Sequence, residues 1–352
     1  MILYTNAITD INLIFDMEIK MESIMTSKYN ELFLKLFGSL PNSINKINTG
    51  LSGAQIYSVN CQDNSYILRV ANQDIASVTN LENEYQLIQQ MSEHHIAPKL
   101  HYSDAKDGVL IMDSIPAHSY SFSDDSILKK LADKLKQLHN LQIDVEITTC
   151  SLDDYLSYSD NIVNNITAKQ ELPRYISEFR TCIDLIKENL NIDWQYKPCH
   201  LDINPTNIIY DGSDFIILDW DSMRASDPML DLVAFMNFFC HDPCLAQKFL
   251  GYYYGDENIT TKITKRLFFL TQINLYFYGM MFLNLASKDN ALIIADVNIN
   301  DLSTPLDFFK RLSTGQENLA TSLSQARVGL CMLRYAYSKL NLEIQIHGTS
   351  VS

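Results

Sequence analysis

The chain has 352 residues, 47% of them hydrophobic and 20% charged, with 27 Lys+Arg against 42 Asp+Glu and a net charge of -15. That length and apolar share give a globular protein with a real core and room for two domains; they exclude disorder, collagen and a disulfide-stapled miniprotein. So acidic a chain is poorly suited to a nucleic-acid backbone, which is held by Lys and Arg, and better suited to a cationic partner.

In chain order, residues 1–40 are read as a helical extension of unassigned purpose. Asp10, Asp16 and Glu18 interrupt its apolar residues, unlike a secretory signal. Ile44 to Asn48, Gln55 to Asn60 and Ser65 to Ala71 read as strands around turn residues such as Asp63-Asn64. Leu81, Tyr85, Ile88 and Met91 recur at helical spacing within Leu81 to His94. Lys99 to Ser103 and Val109 to Asp113 complete a five-stranded sheet with one helix inserted after the third strand. Beyond Pro116 the pattern turns helical: Ser126 to Leu141, Arg174 to Leu190, Pro228 to Cys240, Ile263 to Ala286 and Ala320 to Leu340. Two short strands, Asn207 to Asp211 and Asp214 to Asp219, are embedded among them and joined at Asp211-Gly212-Ser213. The expectation is an α+β fold: a sheet domain over residues 1–116 and a helical domain over 117–352.

Leu267 to Ala286 is long enough to cross a bilayer, but Gln272, Asn274 and Asn284 argue for a helix buried in protein. The seven cysteines are odd in number, scattered and without a CxxC pair. They read as reduced residues, and the protein as cytoplasmic.

Chemistry concentrates in His200-Leu201-Asp202-Ile203-Asn204-Pro205-Thr206-Asn207, followed twelve residues later by Asp219 at the end of an apolar run. Phosphoryl transfer needs a carboxylate to orient a hydroxyl and take its proton, and oxygen ligands to hold Mg²⁺ on a nucleotide. Asp202, Asn207 and Asp219 supply those chemical types, two carboxylates and an amide oxygen.

With Asp219-Trp220-Asp221 and Asp227-Pro228 followed by Asp231-Leu232, this stretch resembles the choline kinase and aminoglycoside phosphotransferase superfamily of protein-kinase-like small-molecule kinases. The resemblance runs motif by motif over roughly residues 45 to 240. It implies a bilobal protein-kinase-like fold with ATP and Mg²⁺ as cofactors. It makes Asp202 the catalytic base, Asn207 and Asp219 the Mg²⁺ ligands, and Asp221 an assisting carboxylate. Asp231 is left between holding the catalytic loop and simply starting a helix.

A kinase also needs a cation on the nucleotide phosphates, held by a helix carboxylate. Arg69 on the third strand and Glu84 on the next helix meet that need, and Arg at this position is similar to the choline and ethanolamine kinases, as is Ile96-Ala97-Pro98-Lys99-Leu100. Gly50, Ser52 and Gly53 lie in a segment that resembles their phosphate loop, although Gly-x-x-Gly also makes ordinary hairpin turns. Ile111 to Pro116, with Met112 and Ile115, is the expected adenine hinge.

The acceptor is expected to be a small cation. Aromatic faces attract quaternary ammonium groups, and Tyr276 and Tyr278 are singled out from the aromatic run on the late helix, which could equally be core packing. The Trp pair frequent there in choline kinases is absent: the chain has only Trp194 and Trp220. The expected activity is therefore choline/ethanolamine kinase-like transfer to a hydroxyl. The alternatives are an aminoglycoside or thiamine kinase of the same fold, a nucleotide-binding pseudokinase, or a protein kinase, the last disfavoured by Asp-Trp-Asp in place of D-F-G.

Overall fold

Strands β1 (Ser43–Ile47), β2 (Gln55–Cys61), β3 (Asn64–Val70), β4 (Leu100–Asp104) and β5 (Val109–Asp113) form one antiparallel sheet, ordered β1-β2-β3-β5-β4. The coordinates are a computed structural model that describes residues 27–47, 54–72, 78–189, 194–240 and 242–347. Gly50, Ser52 and Gly53, and the extension up to residue 26, lie outside the described residues. The fold class is the expected α+β one. The chain divides into two units, one reaching to Ala117 and including Ile216–Leu218, the other His118–Phe215 with Asp219 onward.

In the first unit, residues 27–37 form helix α1. Tyr29 and Phe33, one turn apart, pack with Val59, Cys61, Tyr66, Leu68, Val109 and Ile111 on one face of the sheet. Alternation along β3 then sends Ile67 and Arg69 to the opposite face. Ile67 pairs with Met112, so Met112 shares the face of Arg69. Helix α2 (Val78–Glu93) buries Leu81, Tyr85, Leu87, Ile88 and Met91 and carries Glu84 between them. Ile217 joins this unit through its N–H, which donates to the Ile96 carbonyl at 2.7 Å.

The second unit begins with α3 (Asp125–His139), α4 (Leu152–Thr167) and α5 (Arg174–Asn189). Short strands β6 (Lys197–Cys199), β7 (Ile208–Tyr210) and β9 (Arg224–Ser226) follow, while β8 (Phe215–Ile217) begins at the last residue before the chain enters the first unit; β6 pairs with β9 and β7 with β8. Helices α6 (Met229–Phe239), α7 (Pro243–Tyr254), α8 (Thr261–Ala286), α9 (Pro305–Ser313) and α10 (Ser322–His347) complete it. The late hairpin is shorter than its apolar run suggested, because Asp219 takes a left-handed φ of 61° that ends the extended conformation.

Helix α8 is the axis of this unit and packs against α4, α6 and α10. It buries Leu267, Phe269, Leu270, Ile273, Leu275, Met280 and Leu283, each contributing about 1.5–3 kcal/mol by leaving water. It crosses α10 at two glycines. A Cβ on Gly329 would lie 2.8 Å from the Gly279 carbonyl oxygen, and one on Gly279 would lie 2.7 Å from the Leu333 side chain. No helix among the described residues is long and apolar enough to cross a membrane.

Candidate active site

The loop that carries Asp202 starts where β6 ends. Cys199 and His200 are fully buried, and the chain turns at Leu201 with φ 64°. A left-handed leucine costs about 1–2 kcal/mol, and Asp231 in the first turn of α6 offsets that cost. Its buried carboxylate accepts the N–H of His200 at 2.8 Å and of Leu201 at 2.7 Å. His139 at the end of α3 adds its Nε2 to the same carboxylate at 3.0 Å, while its Nδ1 meets the Tyr253 hydroxyl at 2.8 Å. Asp231 therefore holds the loop, one of the two roles its sequence position allowed.

His139, Cys199 and Asp231 also have the spacing of a metal cluster. Every one of them is committed within the protein, Cys199 through its thiol to the Ser226 carbonyl at 3.2 Å. Burial pushes that thiol well above its ordinary pKa, so it is a protonated core group. All seven cysteines are unpaired.

After Leu201 the loop is built by side chains bonding to nearby backbone. Asp202 N–H donates to His200 Nδ1 at 3.2 Å. Asn204 Oδ1 accepts the Thr206 N–H at 2.9 Å and its hydroxyl at 2.6 Å, an Asx turn that Pro205 pre-sets. The Asp202 carboxylate emerges with three donors on it. Asn204 Nδ2 reaches Oδ1 at 2.9 Å, the Tyr278 hydroxyl reaches Oδ1 at 3.1 Å, and Asn207 Nδ2 reaches Oδ2 at 2.8 Å.

With its amide nitrogen committed to Asp202, Asn207 presents its oxygen, which among the described residues takes only the Thr206 hydroxyl at 3.3 Å. Asp219 stands just past β8. Its neighbour Trp220 packs edge-on to His200 with ring centroids 4.8 Å apart, which ties this segment to the loop that carries Asp202. The donor types are an amide oxygen and a carboxylate, the kind a hard divalent cation selects. Asp221 is exposed at the next turn, where its Oδ1 accepts the Ser222 hydroxyl at 3.1 Å.

In the first unit, Arg69 forms an ion pair with Glu84, both side chains about 85% buried. Tyr85, next on α2, is pushed up to about 12 by burial and so stays protonated beside them. Met112 is half-buried at the end of β5, and Ile115 lies two residues beyond the strand.

Residues 43–257 match the family model described as APH, phosphotransferase enzyme family. The chain belongs to that family. Protein LicA of Haemophilus influenzae is 23% identical over 171 residues, which are 47% of this chain and half the length of that protein. Among solved structures, the choline kinase LicA from Streptococcus pneumoniae superposes with a TM-score of 0.63 at 14% identity, over 92% of this chain and 99% of that one. The ADP-bound aminoglycoside phosphotransferase APH(2'')-Ib does so with a TM-score of 0.55 at 16% identity, over 85% and 98%. At these identities the structural matches establish the fold, which is the protein-kinase-like one of choline kinases and aminoglycoside phosphotransferases.

The phosphotransferase fold separates the two tyrosines that the sequence grouped. Tyr278 bonds to Asp202, whereas Tyr276 is fully buried against Phe179, ring centroids 5.1 Å apart and nearly perpendicular. Tyr276 lines a recess of about 330 Å³ with Asp160, Arg180 and Asp184. Two residues along a helix are about 200° of rotation, so both cannot face one acceptor.

Asn204, which bonds to Asp202, reads in the sequence only as part of the loop motif, and the aromatic residues of α4 escape the sequence reading. Helix α4 brings Tyr155, whose ring stacks on Phe277 at 4.2 Å, and half-exposed Tyr158, 5.7 Å from the same ring. The available signal was the capping box, in which Ser151 and Asp154 bond reciprocally.

Proposed function

We propose that this phosphotransferase transfers the terminal phosphoryl group of ATP to a hydroxyl of a small cationic molecule, as a choline/ethanolamine-type kinase. The observation that carries the reading is the Asp202 carboxylate, fixed by three neutral donors on a loop anchored to Asp231. Neutral donors orient the carboxylate without cancelling its charge, which suits a group that must align a hydroxyl and take its proton.

In this reading the first unit binds nucleotide. Arg69, held by Glu84, can clamp phosphate oxygens with its planar fork, and Met112 and Ile115 border the adenine. The second unit supplies chemistry and acceptor. Asn207 and Asp219 would hold Mg²⁺, which when bound neutralises phosphate charge, and Asp221 assists. Asp202 takes the acceptor's proton as the oxygen attacks the terminal phosphorus. The net charge of -15 supports a cationic acceptor.

The test is ATP consumption by the full chain with Mg²⁺ and a panel of choline, ethanolamine, thiamine and aminoglycosides. Turnover with choline or ethanolamine is the expected result. Turnover confined to thiamine or an aminoglycoside would replace the acceptor assignment. Nucleotide binding with no turnover on any of them would overturn the enzymatic reading in favour of a pseudokinase.

A further inference from the structure

The two oxygens of Asp202 are not equivalent. A carboxylate oxygen has two lone-pair directions. Oδ1 has both occupied, by Asn204 Nδ2 at 2.9 Å and the Tyr278 hydroxyl at 3.1 Å. Among the described residues Oδ2 accepts one bond, from Asn207 Nδ2 at 2.8 Å, which leaves its other direction open. We propose that Tyr278 is a positioning residue that, together with Asn204, caps Oδ1 and makes Oδ2 the oxygen that receives the acceptor's proton. This rests on the reading of Asp202 as the base.

Tyr278 is built for that task rather than for gripping a cation. It is buried, with the rings of Phe238 and Phe277 edge-on to it at 4.9 and 5.5 Å. Burial first, and then the Asp202 charge, push its hydroxyl well above the ordinary tyrosine range, so it remains a donor. The rotation of α8 is registered one turn earlier. There Asn274 donates to the Tyr155 hydroxyl at 3.1 Å and accepts from Asn237 at 2.8 Å. A phenol fixed this way stops the carboxylate from turning Oδ1 toward the acceptor. The proton then passes from the acceptor hydroxyl to Oδ2, the hydroxyl oxygen bonds to the terminal phosphorus, and the bond to the bridging oxygen breaks with its electron pair leaving on the nucleoside diphosphate.

The experiment is steady-state kinetics of the full chain with Mg-ATP and whichever member of the acceptor panel turns over fastest. Tyr278→Phe removes only the hydroxyl. It should lower kcat about tenfold while leaving the acceptor KM within about twofold. Asn204→Ala should lower kcat in the same way; since it also removes the turn to Thr206, it decides the matter, if Tyr278→Phe does not fold, when its melting temperature and acceptor KM match the parent's. In an Asp202→Asn background, Tyr278→Phe should add no further loss. A wild-type kcat in both single variants overturns the proposal, and so does a raised acceptor KM at unchanged kcat, which would make the tyrosine an acceptor contact. Loss of activity in Asp202→Asn with no effect in Tyr278→Phe and Asn204→Ala sinks only this inference. Wild-type transfer by Asp202→Asn sinks the base assignment and this inference with it.

Discussion

Tyr276 and Tyr278 stand two residues apart on α8, carry the same side chain and are both almost wholly buried, yet they face different surroundings. The Tyr278 side ends in a polar chain that reaches Asp202 and, through Asn274, Tyr155 and Asn237. The Tyr276 side meets α5, where Arg180 grips Asp160 with bonds of 2.7 and 2.9 Å and also pairs with Asp184. The Tyr276 hydroxyl has no hydrogen-bond partner among the described residues. A helix face thus becomes chemical through what the next element offers it. Residue type alone does not decide which tyrosine serves the site.

The largest effect that would sharpen this contrast is at the proposed base. Asp202→Asn keeps the shape of the side chain but removes the proton acceptor, and phosphoryl transfer should fall about 10²–10⁴-fold in an ATP-coupled assay. Next is the anchor beneath the loop. Asp231→Ala leaves two buried N–H groups and His139 without their acceptor, so both activity and stability should fall. Stability should drop by about 3 kcal/mol or more in chemical denaturation. Gly329→Ala pushes a methyl group against the Gly279 carbonyl and should cost about 1–3 kcal/mol by separating α10 from α8. A variant as stable as the parent would show that the two helices can move apart without disturbing either tyrosine.

The smallest expected effect falls on the other face. Tyr276→Phe removes a hydroxyl that bonds to none of the described residues, so kcat should be unchanged and the melting temperature equal or slightly higher. A tenfold loss of kcat there would break the distinction between the faces. Both tyrosines should nevertheless act alike in alkali. Burial raises their folded-state pKa values above the unfolded value of about 10. The unfolded chain therefore loses protons that the folded chain keeps. Stability should be unaffected below about pH 10 and decline as pH rises above it, less steeply in either Phe variant.

Much of the fold was legible because it depends on short-range rules. The five strands and α2, α3, α5, α6, α8 and α10 follow from alternation or helical periodicity within a residue or three of the observed bounds, except at the end of α10. The reading missed α4, α7 and α9. Their sequences are short or rich in Ser, Asn and Asp, which compete with the helical backbone for hydrogen bonds. Their starts were nevertheless written in caps: Ser151 with Asp154, Asp242 before Pro243, and Thr304 with Pro305 and Asp307. The small pair β6 and β9 was invisible because three-residue strands carry no periodicity.

By itself the sequence determined which chemical groups are present and how they are spaced along one loop. Asp202, Asn204 and Asn207 sit within hydrogen-bond reach of one another because a five-residue turn with an Asx bond and a proline can close locally. Only the tertiary structure decided that Asp231, about thirty residues away, would hold that loop from below, and that Tyr278 rather than Tyr276 would reach its carboxylate across 76 positions of chain. Those outcomes depend on how α8 is rotated against its neighbours, and that rotation is set by the packing of the whole helical unit, which local spacing does not encode.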